Sequence, residues 1–101
     1  MIFVAGTLTV KPDLLPEFQA DIAAMAGKVR RERGCHQYSL LAEDPSTGLV
    51  NVLECWEDDD ALAEHLRQPW VVTFFNKYVN QLLELNVKIY DIAGIRNLPG
   101  M

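Results

Sequence analysis

The order of two hydrophobic periodicities restricts the fold of this chain more than any other feature. The first run, Ile2–Val10, is short and rich in β-branched residues, which is typical of a strand. Apolar residues then recur at steps of three and four, which predicts a helix that begins within "KPDLLPEF" and ends near Arg33, with Gly34 as its terminator. Its predicted buried face consists of Leu14, Phe18, Ile22, Met25 and Val29.

A β-hairpin is predicted next. The extended runs "CHQYSLLAED" and "LVNVLECWED" are joined by "PSTG", whose proline and glycine are typical turn residues. In the simplest register that this turn allows, Tyr38 opposes Glu54 and His36 opposes Trp56. A slip of one residue would reverse the face of every side chain, so these pairings are the most sensitive part of the prediction.

The second half of the chain predicts two helices and a final strand. Three consecutive aspartates, at 58 to 60, favour a helix N-terminus because Asp caps helices and suits the positive end of the helix dipole. The first predicted helix places His65 on an apolar face with Ala61, Leu62 and Leu66. After Pro69, a second apolar face consists of Val71, Phe74, Phe75, Tyr78, Val79 and Leu82, and the last strand is predicted at about Val87 to Ala93.

This order of elements is the βαββαβ arrangement of a ferredoxin-like α+β domain, with an antiparallel sheet and the helices on one face. We expect residues 1–101 to form a single domain of this kind. The strands are apolar on both faces, since Phe3 and Ala5 alternate with Ile2 and Val4. A second apolar sheet face favours an interaction surface, and a second copy of the chain is the simplest partner. The expected assembly is therefore a homodimer.

Charge and hydropathy exclude several classes of partner. The net charge is −5, so we expect no nucleic-acid partner. The basic residues Lys28 to Arg33 lie where a helix ends, which favours an interaction with the helix dipole, and a local anion site is the alternative. No stretch approaches the roughly 18 apolar residues that span a bilayer, and "MIFVAGTLTV" lacks the pattern of a secretion signal. We expect no membrane partner, a cytoplasmic location, and reduced Cys35 and Cys55.

Familiar catalytic and metal-binding motifs do not occur. Neither serine lies in a Gly-x-Ser-x-Gly turn, no glycine-rich phosphate loop follows a strand, and the two histidines lack metal-ligand spacing. Cys35 and His36 are neighbours on a predicted strand, so their side chains point to opposite faces and cannot form a nucleophile–base pair. His65 remains the best candidate for a base, because imidazole exchanges its proton near neutral pH; a satisfied core histidine is the other interpretation.

The segment 32–66 resembles the antibiotic biosynthesis monooxygenase superfamily, and in particular its quinol-monooxygenase-like members. The family pattern is Glu-x-Gly-Cys-x-x-Tyr, an Asp near the hairpin turn, Glu-x-Trp and Leu-x-x-His. The matching residues are Glu32, Gly34, Cys35, Tyr38, Asp44, Glu54, Trp56, Leu62 and His65. The passage "TVKPDLLPEF" is also similar to the family's entry into its first helix. The resemblance implies a dimeric α+β barrel.

The resemblance also implies a cofactor-independent monooxygenase that oxidises a small aromatic phenol or hydroquinone to a quinone with O2. His65 would be the catalytic base, and Trp56 would supply an aromatic wall and an indole N–H. Tyr38 would orient a substrate oxygen, and Phe74 would close the pocket. Glu54 would be a second acid or base, or only a hydrogen-bond partner within the fold. No flavin or metal is required for this chemistry.

Two alternative functions stay open. The haem-degrading branch of the family would require an Asn in the first strand, and the corresponding position is Thr7, whose hydroxyl cannot reproduce the donor and acceptor pair of an amide. Thr7 is therefore assigned to the substrate site, and haem is a cofactor only in this alternative. A non-catalytic dimer that binds a small apolar ligand is the second alternative, and a non-redox enzyme such as an isomerase is compatible with the same fold.

Overall fold

The computed structural model describes residues 1–101 and contains four strands and three α-helices in the predicted order. Two short 3-10 turns, at Pro12–Leu14 and Val79–Gln81, precede α1 and β4. The elements are β1 (Ile2–Val10), α1 (Leu15–Arg30), β2 (Cys35–Asp44), β3 (Leu49–Trp56), α2 (Asp59–Leu66), α3 (Pro69–Tyr78) and β4 (Leu82–Asp91). This is the predicted ferredoxin-like α+β fold.

All neighbouring strands of the four-stranded sheet are antiparallel, and their spatial order is β2-β3-β1-β4. The central strands β1 and β3 are therefore paired on both edges, while β2 and β4 are edge strands. The predicted pairing of Tyr38 with Glu54 is confirmed. Val4 lies opposite Glu54 on the other side of β3, and Ile89 lies opposite Val4. These four residues form one row across the helix-covered face.

The predicted pairing of His36 with Trp56 is wrong, because Trp56 pairs with Cys35 and the register shifts between Cys35 and Gln37. One extra residue is accommodated there, as in a β-bulge, and His36 is the residue left out of the ladder. Its exposed imidazole instead contacts the Glu57 carboxylate, with Nε2 at 2.5 Å from Oε2. The register also shifts beside the turn, between Ala42 and Asp44, so Asp44 rather than residue 43 pairs with Leu49, and the turn alone does not fix the ladder.

Helix α1 begins later and ends earlier than the periodicity predicts. Pro12–Leu14 forms a tight 3-10 turn, so Leu15 rather than Leu14 takes the first buried place. The helix ends at Arg30 instead of near Arg33, and Gly34 adopts a positive φ of 77° in the turn that follows. The buried face of α1 consists of Leu15, Phe18, Ile22, Met25, Ala26 and Val29.

The acidic run before α2 acts as predicted, since Asp58 is the N-cap and its carboxylate accepts a hydrogen bond from the Ala61 N–H at 2.8 Å. On the other hand, the second predicted apolar face is only partly buried, because Phe75 and Val79 are exposed. Strand β4 starts at Leu82 rather than Val87, so Leu82 leaves the helical face and joins the sheet. No helix combines the length and hydropathy that crossing a membrane requires.

The two sheet faces differ more than the sequence predicts. The helices cover the face that carries Ile2, Leu8 and Val10 of β1, and the main core lies between them. The opposite face, called the outer face below, includes half-buried Phe3 and exposed Leu53, but it also carries a polar row in which Thr7 lies between Asn51 and Asn86. The outer face is therefore mixed rather than uniformly apolar.

Candidate functional site

A cavity of about 300 Å³ lies between the helix-covered face of the sheet and the helices. Of its 20 lining residues, 18 are hydrophobic, so the cavity suits an apolar ligand, although it is partly open to solvent at the exposed lining residues Leu66, Phe75, Val79, Leu85 and Ile89. The apolar lining includes Val4, Leu40 and Val52 from the sheet and Met25, Leu62 and Phe74 from the helices. The side chains that can exchange protons or donate hydrogen bonds are few, which makes their positions informative.

Tyr38, Glu54 and His65 form the polar end of the cavity. Tyr38 and Glu54 lie side by side because the hairpin register pairs them. His65 approaches from the last turn of α2, and its ring centroid lies 5.8 Å from that of Tyr38 in an edge-on arrangement. Alternation along the strands and the apolar face of α2 thus bring three polar groups to one place.

His65 is buried, with 4% of its surface exposed, and one ring nitrogen has a protein partner. Its Nδ1 lies 2.9 Å from Oε1 of Glu32, whose other oxygen, Oε2, accepts a hydrogen bond from the Trp70 indole at 2.9 Å. Because Nδ1 is turned to Glu32 and His65 also lines the cavity, Nε2 is the nitrogen available to a ligand. The ring therefore has the orientation that a general base requires.

Trp56 lies behind the polar end and is not among the residues that line the cavity. Its side chain is fully buried and stacks against His65 with ring centroids 4.5 Å apart. The indole N–H donates to Oε1 of Glu54 at 3.0 Å. The predicted availability of this N–H to a substrate is therefore wrong, because the neighbouring carboxyl of Glu54 already accepts it.

Burial perturbs the proton affinities of the other two polar groups. Loss of solvation raises the pKa of Glu54, and the hydrogen bond from Trp56 only partly offsets this effect. Burial, reinforced by the nearby Glu54 and Glu32 carboxylates, also raises the pKa of Tyr38 well above its ordinary value. Tyr38 is consequently a neutral hydroxyl at physiological pH, able to donate a hydrogen bond to a ligand oxygen.

The structure brings Phe74 to the cavity and leaves Thr7 away from it. Phe74 is half-buried in the lining and packs against Phe18 and Tyr78, with ring centroids 5.2 and 4.9 Å away. Thr7 belongs to the outer face, because it alternates with Leu8, which lines the cavity. The predicted place of Thr7 in the substrate site is therefore wrong: its hydroxyl lies on the other side of the sheet.

Sequence reasoning assigned no site role to Glu32 or Trp70. Glu32 belongs to the Glu-x-Gly-Cys element, so the motif marked the position without indicating what the carboxylate contacts. Trp70 follows Pro69 in the first turn of α3 and carried no signal of its own. No group of three or more His, Cys, Asp or Glu side chains is arranged to hold a metal ion.

Comparisons with known proteins identify the family and support the fold of this chain. The family model of the antibiotic biosynthesis monooxygenases matches residues 1–77. An uncharacterized protein of Synechocystis sp. is 33% identical over 98 residues, which cover 96% of this chain and 67% of that protein. Two solved structures, from Deinococcus radiodurans and Caulobacter crescentus, each carry the description "putative antibiotic biosynthesis monooxygenase".

The Deinococcus structure has a TM-score of 0.82 at 24% identity and covers 97% of this chain and 98% of its own. That identity supports the fold alone. The Caulobacter structure has a TM-score of 0.81 at 26% identity and covers 92% of this chain and 90% of its own. The shared fold therefore extends over nearly the whole chain, whereas the family model ends before β4, which also lines the cavity.

Proposed function

This chain belongs to the antibiotic biosynthesis monooxygenase family, and we propose that it uses O2 to oxidise a small phenol or hydroquinone to a quinone without a flavin or metal. The observation that carries the proposal is the buried His65 at the polar end of an otherwise apolar cavity, with Nδ1 held by Glu32 and Nε2 free for a substrate. A general base in a dry, preformed cavity is what this oxidation requires from a protein.

The base is needed because O2 has a triplet ground state and reacts slowly with closed-shell molecules. Removal of the phenolic proton by Nε2 of His65 gives a phenolate, which is a far better one-electron donor. Transfer of one electron to O2 produces a phenoxyl radical and superoxide, and in a phenol these combine at the ring carbon para to the oxygen. In a hydroquinone the para carbon already bears oxygen, so they combine at the ortho carbon, and the same loss of water gives a hydroxyquinone. The protein contributes by holding the substrate beside the base and by excluding water.

The remaining steps balance without an added reductant. The new C–O bond forms a peroxide; the para carbon then loses its proton while the O–O bond breaks, so that one oxygen stays as the second quinone carbonyl and the other leaves as water. The imidazolium of His65 can return its proton to the departing oxygen. The sum is phenol plus O2 to quinone plus water, with all four electrons supplied by the substrate.

The neighbouring residues suit the binding of an oxygen-bearing ring. Tyr38 can donate a hydrogen bond to the substrate oxygen, and Glu54, whose pKa is raised, can act as a second proton carrier. Trp56 contributes from behind by packing on the His65 ring and by holding Glu54. Phe74 forms part of the opposite apolar wall. The substrate class that fits is an aromatic molecule with one polar end.

Haem fits this cavity poorly. The volume of about 300 Å³ is at the low end of the roughly 300–1,000 Å³ typical of ligand pockets. His65 could serve as an axial ligand, but no Lys or Arg is among the lining residues to pair with the propionates. Titration with haemin measures this alternative directly: a Soret shift that disappears in His65→Ala would favour haem over a small phenol.

A homodimer is part of the proposal. The outer face carries Phe3 and the exposed Leu53 and Leu41, whose burial against a second copy would remove apolar surface from water. The polar row through Thr7 would lie in the same interface. Sedimentation analysis of the wild type and of Leu53→Asp tests the assembly: we expect a dimer that the aspartate weakens, whereas a wild-type monomer at micromolar concentration would contradict it.

The decisive experiment is oxygen uptake with a panel of hydroquinones and anthrone-like phenols, with autoxidation subtracted. We expect quinone formation by the wild type and a loss of about 10²- to 10⁴-fold in His65→Ala, the range typical of a missing general base. His36→Ala is a matched control, because His36 is exposed and lies outside the cavity. Ligand-dependent thermal stabilisation without oxygen uptake in any variant would replace the oxygenase by a binding protein.

A further inference from the structure

We infer that Glu32 is the positioning residue that fixes His65 in the tautomer required of a base, and that Trp70 holds Glu32 in place. This inference rests on the proposed function for its catalytic consequence, while its structural content can be measured without turnover. The contacts, the chemistry of the three groups and their places in the chain each support it.

The Glu32 carboxylate is held at both oxygens. Oε1 lies 2.9 Å from Nδ1 of His65, and Oε2 lies 2.9 Å from Nε1 of Trp70. The side chains of His65 and Glu32 are only 5% and 7% exposed. Lys28 Nζ lies over the Trp70 ring, 5.6 Å from its centroid, and the two hydrogen bonds at opposite oxygens restrict rotation of the carboxylate.

The hydrogen-bonding capacities of the groups determine where the proton of neutral His65 lies. An indole nitrogen only donates, and an ionised carboxylate only accepts. Nδ1 of His65 must therefore carry the proton that it shares with Glu32, which leaves a lone pair on Nε2. His65 lines the cavity and no protein group forms a hydrogen bond with Nε2, so the tautomer that Glu32 selects leaves an accepting nitrogen for a substrate proton.

The same contact has a second effect during the reaction. When His65 takes a proton it becomes a cation inside a largely apolar cavity, and a buried charge without a partner is strongly disfavoured. Glu32 supplies the opposite charge at 2.9 Å. Glu32 does not line the cavity itself, so it acts through His65 rather than on the substrate. Glu54 does not take this place, because its contact is with Trp56.

The three groups come from separate elements. Glu32 lies in the turn after α1, His65 in the last turn of α2 and Trp70 in the first turn of α3. The pairs are 33 and 38 residues apart along the chain. Burial of apolar surface alone does not require a carboxylate to contact side chains from two other elements. The arrangement therefore supports a specific role for Glu32 in orienting the one buried histidine.

The test is the tautomer of His65, measured by long-range ¹H–¹⁵N NMR of the imidazole at a pH where it is neutral. We expect only the Nδ1–H form in the wild type. In Glu32→Gln the Trp70 indole can only donate, so the amide oxygen should turn to it and the NH2 group to Nδ1, and the Nε2–H tautomer of His65 should appear. Glu64→Gln is the matched control, since Glu64 is half-exposed on α2 and paired with Arg33, and it should leave the His65 signals unchanged.

Kinetics provide the second readout. We expect Glu32→Gln to lower kcat by about 10- to 100-fold, the usual effect of losing an orienting partner, with KM nearly unchanged because the cavity wall is intact. Glu32→Asp should recover part of the loss if it restores the Nδ1–H form. Trp70→Phe should have a smaller effect, below about tenfold, because one of the two anchors remains.

The possible outcomes separate this inference from the proposed function. A wild type with mixed tautomers, or a Glu32→Gln variant with the wild-type tautomer and kcat, would overturn the role of Glu32. If Glu32→Gln fails to fold, the role of Glu32 is still tested by the His65 tautomer of the wild type and by the imidazole NMR spectrum of Trp70→Phe. If no variant oxidises any phenol but the tautomer changes as expected, Glu32 retains its positioning role and the oxygenase proposal fails.

Discussion

Replacing Trp56 by Phe should lower the free energy of unfolding substantially and change the rate of substrate oxidation little. The indole is fully buried, it packs against His65, and its N–H donates to the buried Glu54 carboxyl at 3.0 Å. Phenylalanine keeps an aromatic ring in the same place but has no donor. The substitution therefore removes one hydrogen bond and a small volume of packed atoms without altering the cavity wall, which Trp56 does not form.

The size of the effect follows from these two losses. Burial raises the pKa of Glu54, so the measurement is made at a pH where its carboxyl is ionised; the hydrogen bond is then to a charged group and contributes about 1.5–3 kcal/mol to the free energy of unfolding. Phenylalanine is smaller than tryptophan and leaves a void. Complete removal of a large aromatic side chain costs about 3–5 kcal/mol, and we assign about 1 kcal/mol to this partial loss. The expected loss in Trp56→Phe is therefore about 2.5–4 kcal/mol, a large fraction of the total stability of a typical domain.

Urea unfolding followed by far-UV circular dichroism measures this loss, at one protomer concentration so that any dimer affects all variants equally. The same substitution in a Glu54→Gln background completes a double-mutant cycle. There the hydrogen bond is between neutral groups and contributes about 0.5–1.5 kcal/mol, so Trp56→Phe should cost about 1 kcal/mol less than in the wild type.

Two results would refute this reasoning. Additive effects of the two substitutions, within about 0.3–0.5 kcal/mol, would mean that the indole N–H does not support a charged Glu54. A hundredfold loss of oxygen uptake in a variant of unchanged stability would instead place Trp56 in contact with the substrate. The second result would restore the role that the sequence alone suggests for this residue.

Two further predictions concern stability. Burial raises the pKa of Glu54 above 4.5, so the folded protein binds this proton more tightly than the unfolded chain and loses stability as the pH rises from 4.5 through the folded value. The melting temperature of Glu54→Gln relative to wild type should therefore increase from pH 5 to pH 8 in thermal scans, and a pH-independent difference would contradict the assignment. Gly6→Ala should cost roughly 2–4 kcal/mol in urea unfolding, because its Cβ would lie 2.0 Å from the Asn86 carbonyl oxygen at a φ of 147°. Gly27→Ala in α1, whose Cβ would meet nothing closer than 3.7 Å, should be neutral or stabilising, and equal losses at the two glycines would rule out the steric cause.

Much of the fold could be predicted from local patterns. Apolar residues have a period of two in Ile2–Val10 and a period of three to four after it. These periods depend only on residues close in sequence, so they predict a strand and a helix before the tertiary structure is known. The pairing of Tyr38 with Glu54 followed from the hairpin turn. The buried orientation of His65 followed from its apolar neighbours on α2. The ends of elements were less predictable, because a 3-10 turn and a β-bulge altered the count of residues at Leu14 and His36.

Some features of the candidate site also follow from local patterns, and others depend on tertiary contacts. The sequence by itself determined that Tyr38 and Glu54 share one face of the sheet and that His65 lies on the apolar face of a helix, because alternation and helical spacing assign faces. Only the tertiary structure decided that Thr7 lies on the other face and that Trp56 donates to Glu54. It also brought Glu32 to His65 and Trp70 across 33 and 38 residues. Such contacts depend on how helices pack, and no spacing along the chain encodes the distance between atoms on separate elements.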